Sequence, residues 1–221
     1  MVLIRMLINI SDSLVYVCSL WYISERSPLL LSFAVMSFSM PENFLIFFGP
    51  IIDRYDPRKI LFRAILAEFV IILLLGVLYY YDRSGDYLLL VLLFAFSFFS
   101  TITYPIEEKV IPMIVEKEKL VEANSIVEIA YKIVDILFNG LSGLLISVFA
   151  ISFLYKVNLV LLIIPIILIK LWKYEKEDDL EKGEYSFSQY RSDLIEGFRF
   201  IKTKKMFRVM IPLVICNFFL L

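Results

Sequence analysis

The chain has 221 residues, of which 60% are hydrophobic, 16% aromatic and 20% charged. Soluble domains are roughly 45–50% apolar and about 25% charged, so this composition excludes an ordinary water-soluble globular protein. The net charge of −1 gives no argument for a nucleic-acid partner, and we expect none; the absence of histidine leaves any proton chemistry to carboxyl groups.

The apolar residues fall in runs of about 20, separated by short charged segments, as in helices that cross a hydrocarbon layer about 30 Å thick. They do not alternate with period two, as the strands of a transmembrane barrel would. We therefore predict an all-α membrane protein that has bilayer lipid as a partner. The six predicted spans are residues 3–23, 28–50, 60–81, 87–104, 124–148 and 152–172.

The distribution of basic residues predicts the orientation of these spans. With the N-terminus inside, 18 of the 22 Lys and Arg residues, including Arg5, fall on the cytoplasmic side, and three fall outside. Cytoplasmic connections of membrane proteins carry such an excess of Lys and Arg. We expect a multi-pass protein of the cell membrane with a cytoplasmic N-terminus.

Residues 173–205 form the one long polar stretch and are predicted to be a cytoplasmic linker. Apolar residues recur there at helical spacing, which indicates an amphipathic helix on the membrane surface, or alternatively one that binds a partner protein. They are Phe187, Tyr190, Leu194, Phe198 and Ile201. Residues 206–221 are apolar but shorter than the ~20 residues needed to cross. We expect them to be the start of a seventh span in a truncated chain; a finished short helix is the alternative.

Ionisable residues at membrane depth are a functional signal. A charge at the bilayer centre costs roughly 2.5–3.5 kcal/mol on insertion scales, so most of these groups must face a polar cavity or one another. They are Asp12, Glu42, Glu68, Glu128, Lys132 and Asp135. The last three share one helix face and could form a local ion cluster. Pro41 is expected to loosen the helix beside Glu42 and leave a carbonyl free.

The most specific string of the sequence is GPIIDRYDPRK, which starts at Gly49 and joins the second and third predicted spans. Gly49 would allow two helices to approach closely. Asp53 could accept from a neighbouring helix N-terminus, where the helix dipole favours negative charge. Arg54, Arg58 and Lys59 could pair with carboxylates or anionic headgroups, or could be ordinary anchors at the inner surface.

This string resembles the cytoplasmic signature between the second and third helices of the major facilitator superfamily. It is most similar to the macrolide-efflux and siderophore-exporter branch, which often has Asp at the place of Asp56; Pro57 departs from the usual basic residue. Pro112 followed by residues 123–125 (Ala-Asn-Ser), and residues 196–199 (Glu-Gly-Phe-Arg), also resemble that branch.

The resemblance implies one six-helix half of a major facilitator fold, in which Asp53 and Arg58 help to lock the two halves together on the inside. It implies a secondary transporter, driven by protons, that exports a drug-like or amphipathic small molecule. Asp12 and Glu42 lie in the spans that line the central cavity of that family, whereas Glu68 lies in a peripheral helix and is expected to be a packing residue. A half would need its missing C-terminal half or a second copy.

The alternative function is a non-transporting, truncated remnant or helper subunit in the membrane. The sequence contains no nucleotide-binding loop and no nucleophile elbow. Its two cysteines, Cys18 and Cys216, lie inside apolar runs and indicate neither a disulfide framework nor a metal site. We therefore predict that the protein is not an enzyme and has no cofactor and no metal.

Overall fold

A computed structural model describes residues 2–81, 85–172, 186–203 and residue 212. These residues form helices and no strands, which confirms the predicted all-α fold class. The helices are α1 (Val2–Ser24), α2 (Pro28–Ser39), α3 (Leu45–Arg54), α4 (Pro57–Tyr81), α5 (Asp86–Ile114), α6 (Leu120–Val148), α7 (Ile151–Leu171) and α8 (Phe187–Thr203). The predicted start of a seventh span, residues 206–221, lies outside the described residues except for residue 212.

Five segments of the described chain are long and apolar enough to cross a membrane: α1, the continuous α2–α3 segment, α4, α5 and α7. Helix α6 is not among these five. It has 29 residues, packs along α1 and carries four charged side chains. Its role as the sixth span therefore stays a prediction, supported by its length and by its packing.

The second span is interrupted at its middle, as Pro41 predicts. Between α2 and α3, Met40–Phe44 form a 3₁₀ helix that begins around this proline. Proline has no N–H to donate to the preceding turn. One carbonyl in that turn, that of Phe38, accepts instead from the Ser97 hydroxyl of α5 at 2.7 Å. The break is thus stabilised by the neighbouring helix, and it brings Glu42 into irregular backbone.

Two helices extend beyond the predicted spans. Helix α5 continues to Ile114, ten residues beyond the predicted end at residue 104, and passes through Pro105 and Pro112. Helices packed in a membrane bundle tolerate proline because neighbouring groups satisfy the freed carbonyls. Helix α6 begins at Leu120 rather than at residue 124, directly after the 3₁₀ turn Lys117–Lys119.

Helix α1 is the centre of the bundle: it packs against α2, α6 and α7, and α4 packs against α5 and α7. A polar contact ties two of these helices inside the apolar core, where the Ser19 and Tyr155 hydroxyl oxygens lie 2.9 Å apart. Close approach between helices occurs at Gly76, where a Cβ atom would lie 3.6 Å from Tyr155 Cβ. Gly49 makes no such approach within the described chain, since a Cβ there would meet nothing within 4 Å.

Candidate functional site

A polar cavity of about 680 Å³ lies among α1, the broken second span, α5 and α6. These are the first, second, fourth and fifth predicted spans. Its polar and aromatic lining includes Arg5, Asn9, Asp12, Ser13, Tyr16, Phe38, Glu42, Ser97, Ser100, Thr101, Thr103, Tyr104, Glu107, Tyr131 and Asp135. Three of the sequence candidates, Asp12, Glu42 and Asp135, are therefore brought to one cavity.

Only one carboxylate oxygen of Asp12 has a hydrogen-bond partner among the described residues, and that partner is on α5. The Ser100 hydroxyl donates to Asp12 Oδ2 at 2.7 Å. Asp12 Oδ1 is buried and has no hydrogen-bond partner among the described residues. An acceptor buried without a donor costs free energy, so this oxygen is a position where a proton, a water molecule or a cation would be stabilised.

Glu42 reaches the same cavity from the 3₁₀ segment of the second span and is exposed. Close to it along the wall, the rings of Tyr16 and Phe38 meet edge to face with their centroids 4.9 Å apart. The wall of the cavity thus combines carboxyl groups with aromatic surface. Trp21, another aromatic residue of α1, does not line the cavity and is 47% exposed.

The three charged candidates of α6 have different surroundings. Asp135 lines the cavity and is half-buried. Glu128 is exposed and accepts from the Tyr104 hydroxyl of α5 at 3.3 Å. The exposed Lys132 places its ammonium group 5.6 Å from the centre of the Tyr131 ring, within cation–π range. Of these three residues, Asp135 is therefore the one that belongs to the cavity.

A buried ion pair in the cavity was missed by sequence reasoning. Arg5 of α1 donates to the Glu107 carboxylate of α5, and the two side chains are 7% and 4% exposed. The Arg5 guanidinium also lies 4.3 Å from the ring centre of Tyr104 and 5.2 Å from that of Tyr131. Arg5 was counted only as a basic residue of the cytoplasmic side, and the structure adds that its charge is enclosed by the bundle.

The loop motif lies at one end of the bundle, called here the basic end because it carries Arg54, Arg58 and Lys59. Arg54 pairs with Asp193 of α8 through two hydrogen bonds, from Nε at 2.8 Å and from a terminal nitrogen at 3.1 Å. The Tyr190 hydroxyl of α8 donates to the Phe47 carbonyl of α3 at 2.9 Å. Part of the apolar face of the amphipathic helix therefore packs on α3, a contact that the sequence pattern did not predict.

Helix ends also meet at the basic end. The backbone N–H of Arg58 donates to Asp56 Oδ1 at 3.0 Å, so Asp56 caps the start of α4 ahead of Pro57. Arg58 Nε donates at 2.8 Å to the Ile169 carbonyl, near the end of α7. Lys109 of α5 donates to the carbonyls of Ile52 and Asp53 at 2.8 and 2.7 Å.

Arg58 and Lys109 thus bond to carbonyls near the C-terminal ends of α7 and α3. These are the negative ends of the two helix dipoles, where a cation is stabilising. The side chains of Asp53 and Lys59 are exposed. Arg58 thus bonds within the bundle, to α7, and the structure gives Asp53 a position at the surface of the basic end.

A bundle of membrane-length helices around a polar cavity, with a broken helix in its wall, is the architecture of half of a secondary transporter. The family model of the Major Facilitator Superfamily matches residues 1–221, and the chain belongs to this superfamily of membrane transporters. A search of the curated proteins found no significant match.

Proposed function

We propose that this chain is part of a proton-driven exporter of amphipathic, drug-like small molecules, similar to the macrolide-efflux and siderophore-exporter branch of the superfamily. The observation that carries the proposal is the charge of the cavity. Among the described residues that line it, four carboxyl groups accompany one arginine; the four are Asp12, Glu42, Glu107 and Asp135.

The ion pair of Arg5 and Glu107 is neutral as a unit, so the other carboxyl groups set the charge of the cavity. Charged groups in a low-dielectric site are costly unless they are paired, hydrated or protonated. A lipophilic cation and a proton are therefore alternative ways to neutralise Asp12 and Glu42. Competition between the two for the same carboxyl groups would couple proton entry to substrate exit.

The aromatic surface beside these carboxyl groups suits the apolar part of such a substrate. Tyr16 and Phe38 supply ring faces and edges, and a cation held near an aromatic face is stabilised by the ring quadrupole. Secondary transporters with internal repeats bind the substrate between two halves. We propose that a C-terminal half or a second copy of this chain forms the opposite wall.

We also propose that the basic end is the cytoplasmic gate, with the N-terminus on the same side of the cell membrane. The exposed Asp53 would contact the second half, as the family resemblance implies. The pair of Arg54 with Asp193 would fix α8 against α3 at the basic end. In this arrangement Gly49, which meets no neighbour in the described chain, would be available for packing against the second half.

The test uses tetraphenylphosphonium, a lipophilic cation, and the purified chain in lipid nanodiscs. We expect binding to weaken as the pH falls, because protons compete for the carboxyl groups. At least one of Asp12→Asn and Glu42→Gln should weaken binding about tenfold, equivalent to about 1.4 kcal/mol. Calorimetric titration at acidic and alkaline pH measures both effects.

Asp86→Asn is the matched control, because Asp86 is an exposed carboxyl outside the cavity that pairs with Arg26. Its binding should equal that of the parent. If Asp12→Asn and Glu42→Gln both bind the cation with the parent affinity and pH dependence, the coupling assignment is wrong. Efflux of the cation by cells that express residues 1–221 alone would favour a second copy as the opposite wall.

A further inference from the structure

Glu68 is a charged residue type placed fully inside the bundle, away from the lining of the cavity. Its side chain is 0% exposed on α4, and neither carboxyl oxygen has a hydrogen-bond partner among the described residues. Each unmatched polar atom in an apolar interior costs free energy, and an unpaired ionised carboxylate costs far more. A packing residue of this size would be expected to be apolar.

The surroundings of Glu68 add negative charge. Asp12 of α1 and Glu107 of α5 are near enough to repel it electrostatically. Arg5, the cation on this side of the bundle, is already paired with Glu107. Helix α7 also packs against α4 and places Tyr155 against Gly76, two helical turns from Glu68, while the Tyr155 hydroxyl bonds to Ser19. The charged residues of α7, Lys156 and Lys170, are exposed.

The interior of the bundle also lacks hydrogen-bond donors. Six buried side-chain atoms have no partner among the described residues, and five of them are acceptors only: Asp12 Oδ1, both Glu68 oxygens, Glu107 Oε1 and Asn158 Oδ1. The sixth is the Ser11 hydroxyl oxygen. A protonated carboxyl group carries an O–H donor and no charge. Protonation would therefore supply a missing hydrogen-bond donor and remove the buried negative charge.

We propose that Glu68 is an internal proton-binding site, and that it exchanges its proton with Asp12 at the cavity. In the exchange an O–H bond of Glu68 breaks and an O–H bond forms at Asp12 Oδ1, while the negative charge moves from Asp12 to Glu68. The exchange step rests on the proposed proton-coupled function. The occupancy of Glu68 by a proton rests only on its burial, its unpartnered oxygens and its acidic neighbours.

Infrared difference spectroscopy of the full chain in lipid nanodiscs tests the occupancy without any transport assay. At neutral pH the parent should show the C=O stretching band of a protonated carboxyl group that is lost in Glu68→Gln. The band should persist in Asp86→Asn, a control at a carboxyl outside the cavity that pairs with Arg26. Glu68→Asp should keep a shifted band, which covers the case in which the glutamine variant fails to fold.

If Glu68→Gln loses a carboxylate band and keeps the acid band, the proposal is wrong. An acid band that disappears when sodium chloride replaces choline chloride would also overturn it, because the site would then hold a cation. For the exchange, Asp12→Asn removes the group that accepts the proton, so deuteration of the Glu68 acid band after transfer into heavy water should be slower than in the parent. If the band deuterates at the parent rate, the occupancy stands and the exchange with Asp12 is wrong.

Discussion

The buried ion pair of Arg5 and Glu107 gives the sharpest test of the packing between α1 and α5. The two side chains are 7% and 4% exposed, so water from the cavity can replace a lost partner only in part. Removing one member of a buried pair typically costs about 3–5 kcal/mol, because the other charge stays buried without compensation. Glu107→Gln should therefore lower the free energy of unfolding by about 3 kcal/mol.

The two members of the pair should not be equivalent. Arginine keeps its proton under all ordinary conditions, so in Glu107→Gln the charge remains inside the bundle. In Arg5→Met the remaining Glu107 can be neutralised by taking up a proton, and the apolar side chain packs well. We expect Arg5→Met to cost less than Glu107→Gln, and the double variant to lie within about 1 kcal/mol of the parent.

Unfolding in mixed micelles of dodecyl sulfate and dodecyl maltoside, followed by circular dichroism, measures these differences as a double-mutant cycle. The exposed pair of Arg26 and Asp86, whose side chains are 26% and 44% exposed, is the control. Asp86→Asn should cost no more than about 1 kcal/mol, as is usual for surface pairs. A cost of the same size for Glu107→Gln would show that the pair is solvated and would refute its enclosure by the bundle.

Three further predictions concern the ends and the core of the bundle. Asp193→Asn should weaken the contact of α8 with Arg54 and increase proteolysis within α8, and unchanged protection would argue against this contact in the membrane. In a background without the native cysteines, an impermeant thiol reagent added outside intact cells should label Glu25→Cys but not Ser186→Cys; the opposite pattern would reverse the proposed orientation. Gly76→Leu should destabilise the bundle by about 1–3 kcal/mol through overpacking against Tyr155, measured by the same unfolding assay, whereas Gly76→Ala should be tolerated.

The spans and the broken second span could be predicted because their signals are local. Runs of about 20 apolar residues identify membrane helices without knowledge of their neighbours. The break at Met40–Phe44 follows from the missing N–H of Pro41, a property of one residue. The end of α5 could not be predicted in this way, because proline tolerance inside a helix depends on contacts from other helices.

The charged interior could be predicted only in part. Asp12, Glu42 and Asp135 interrupt apolar runs, and this alone identifies them as candidates for the cavity. The partner of Arg5 lies 102 residues away along the chain, and Glu107 stands just beyond the predicted end of its span. A count of basic residues therefore gave Arg5 a side of the membrane but no partner. The pairing of Arg54 with Asp193 could not be predicted either, because the two residues are 139 residues apart along the chain.

The last prediction distinguishes the charges of the Arg5–Glu107 pair from the carboxyl group of Asp12, which we propose takes up and releases a proton. The permanently charged guanidinium of Arg5 favours the ionised form of Glu107, so the pair should not supply the pH dependence of cation binding. The double variant Arg5→Met, Glu107→Gln removes both charges together and should bind tetraphenylphosphonium with the pH dependence of the parent. Asp12→Asn should reduce that dependence, because it removes a carboxyl group that a proton and the cation would share.

Calorimetric titration of the two variants over the same pH range makes the comparison. Glu42→Gln is informative beside them, because Glu42 is exposed and lies in irregular backbone, whereas Asp12 accepts from Ser100. A pH dependence that vanishes in the double variant and survives in Asp12→Asn would assign the mobile proton to the buried pair. Proton coupling would then depend on breaking the contact between α1 and α5, and not on competition between the proton and the cation at Asp12.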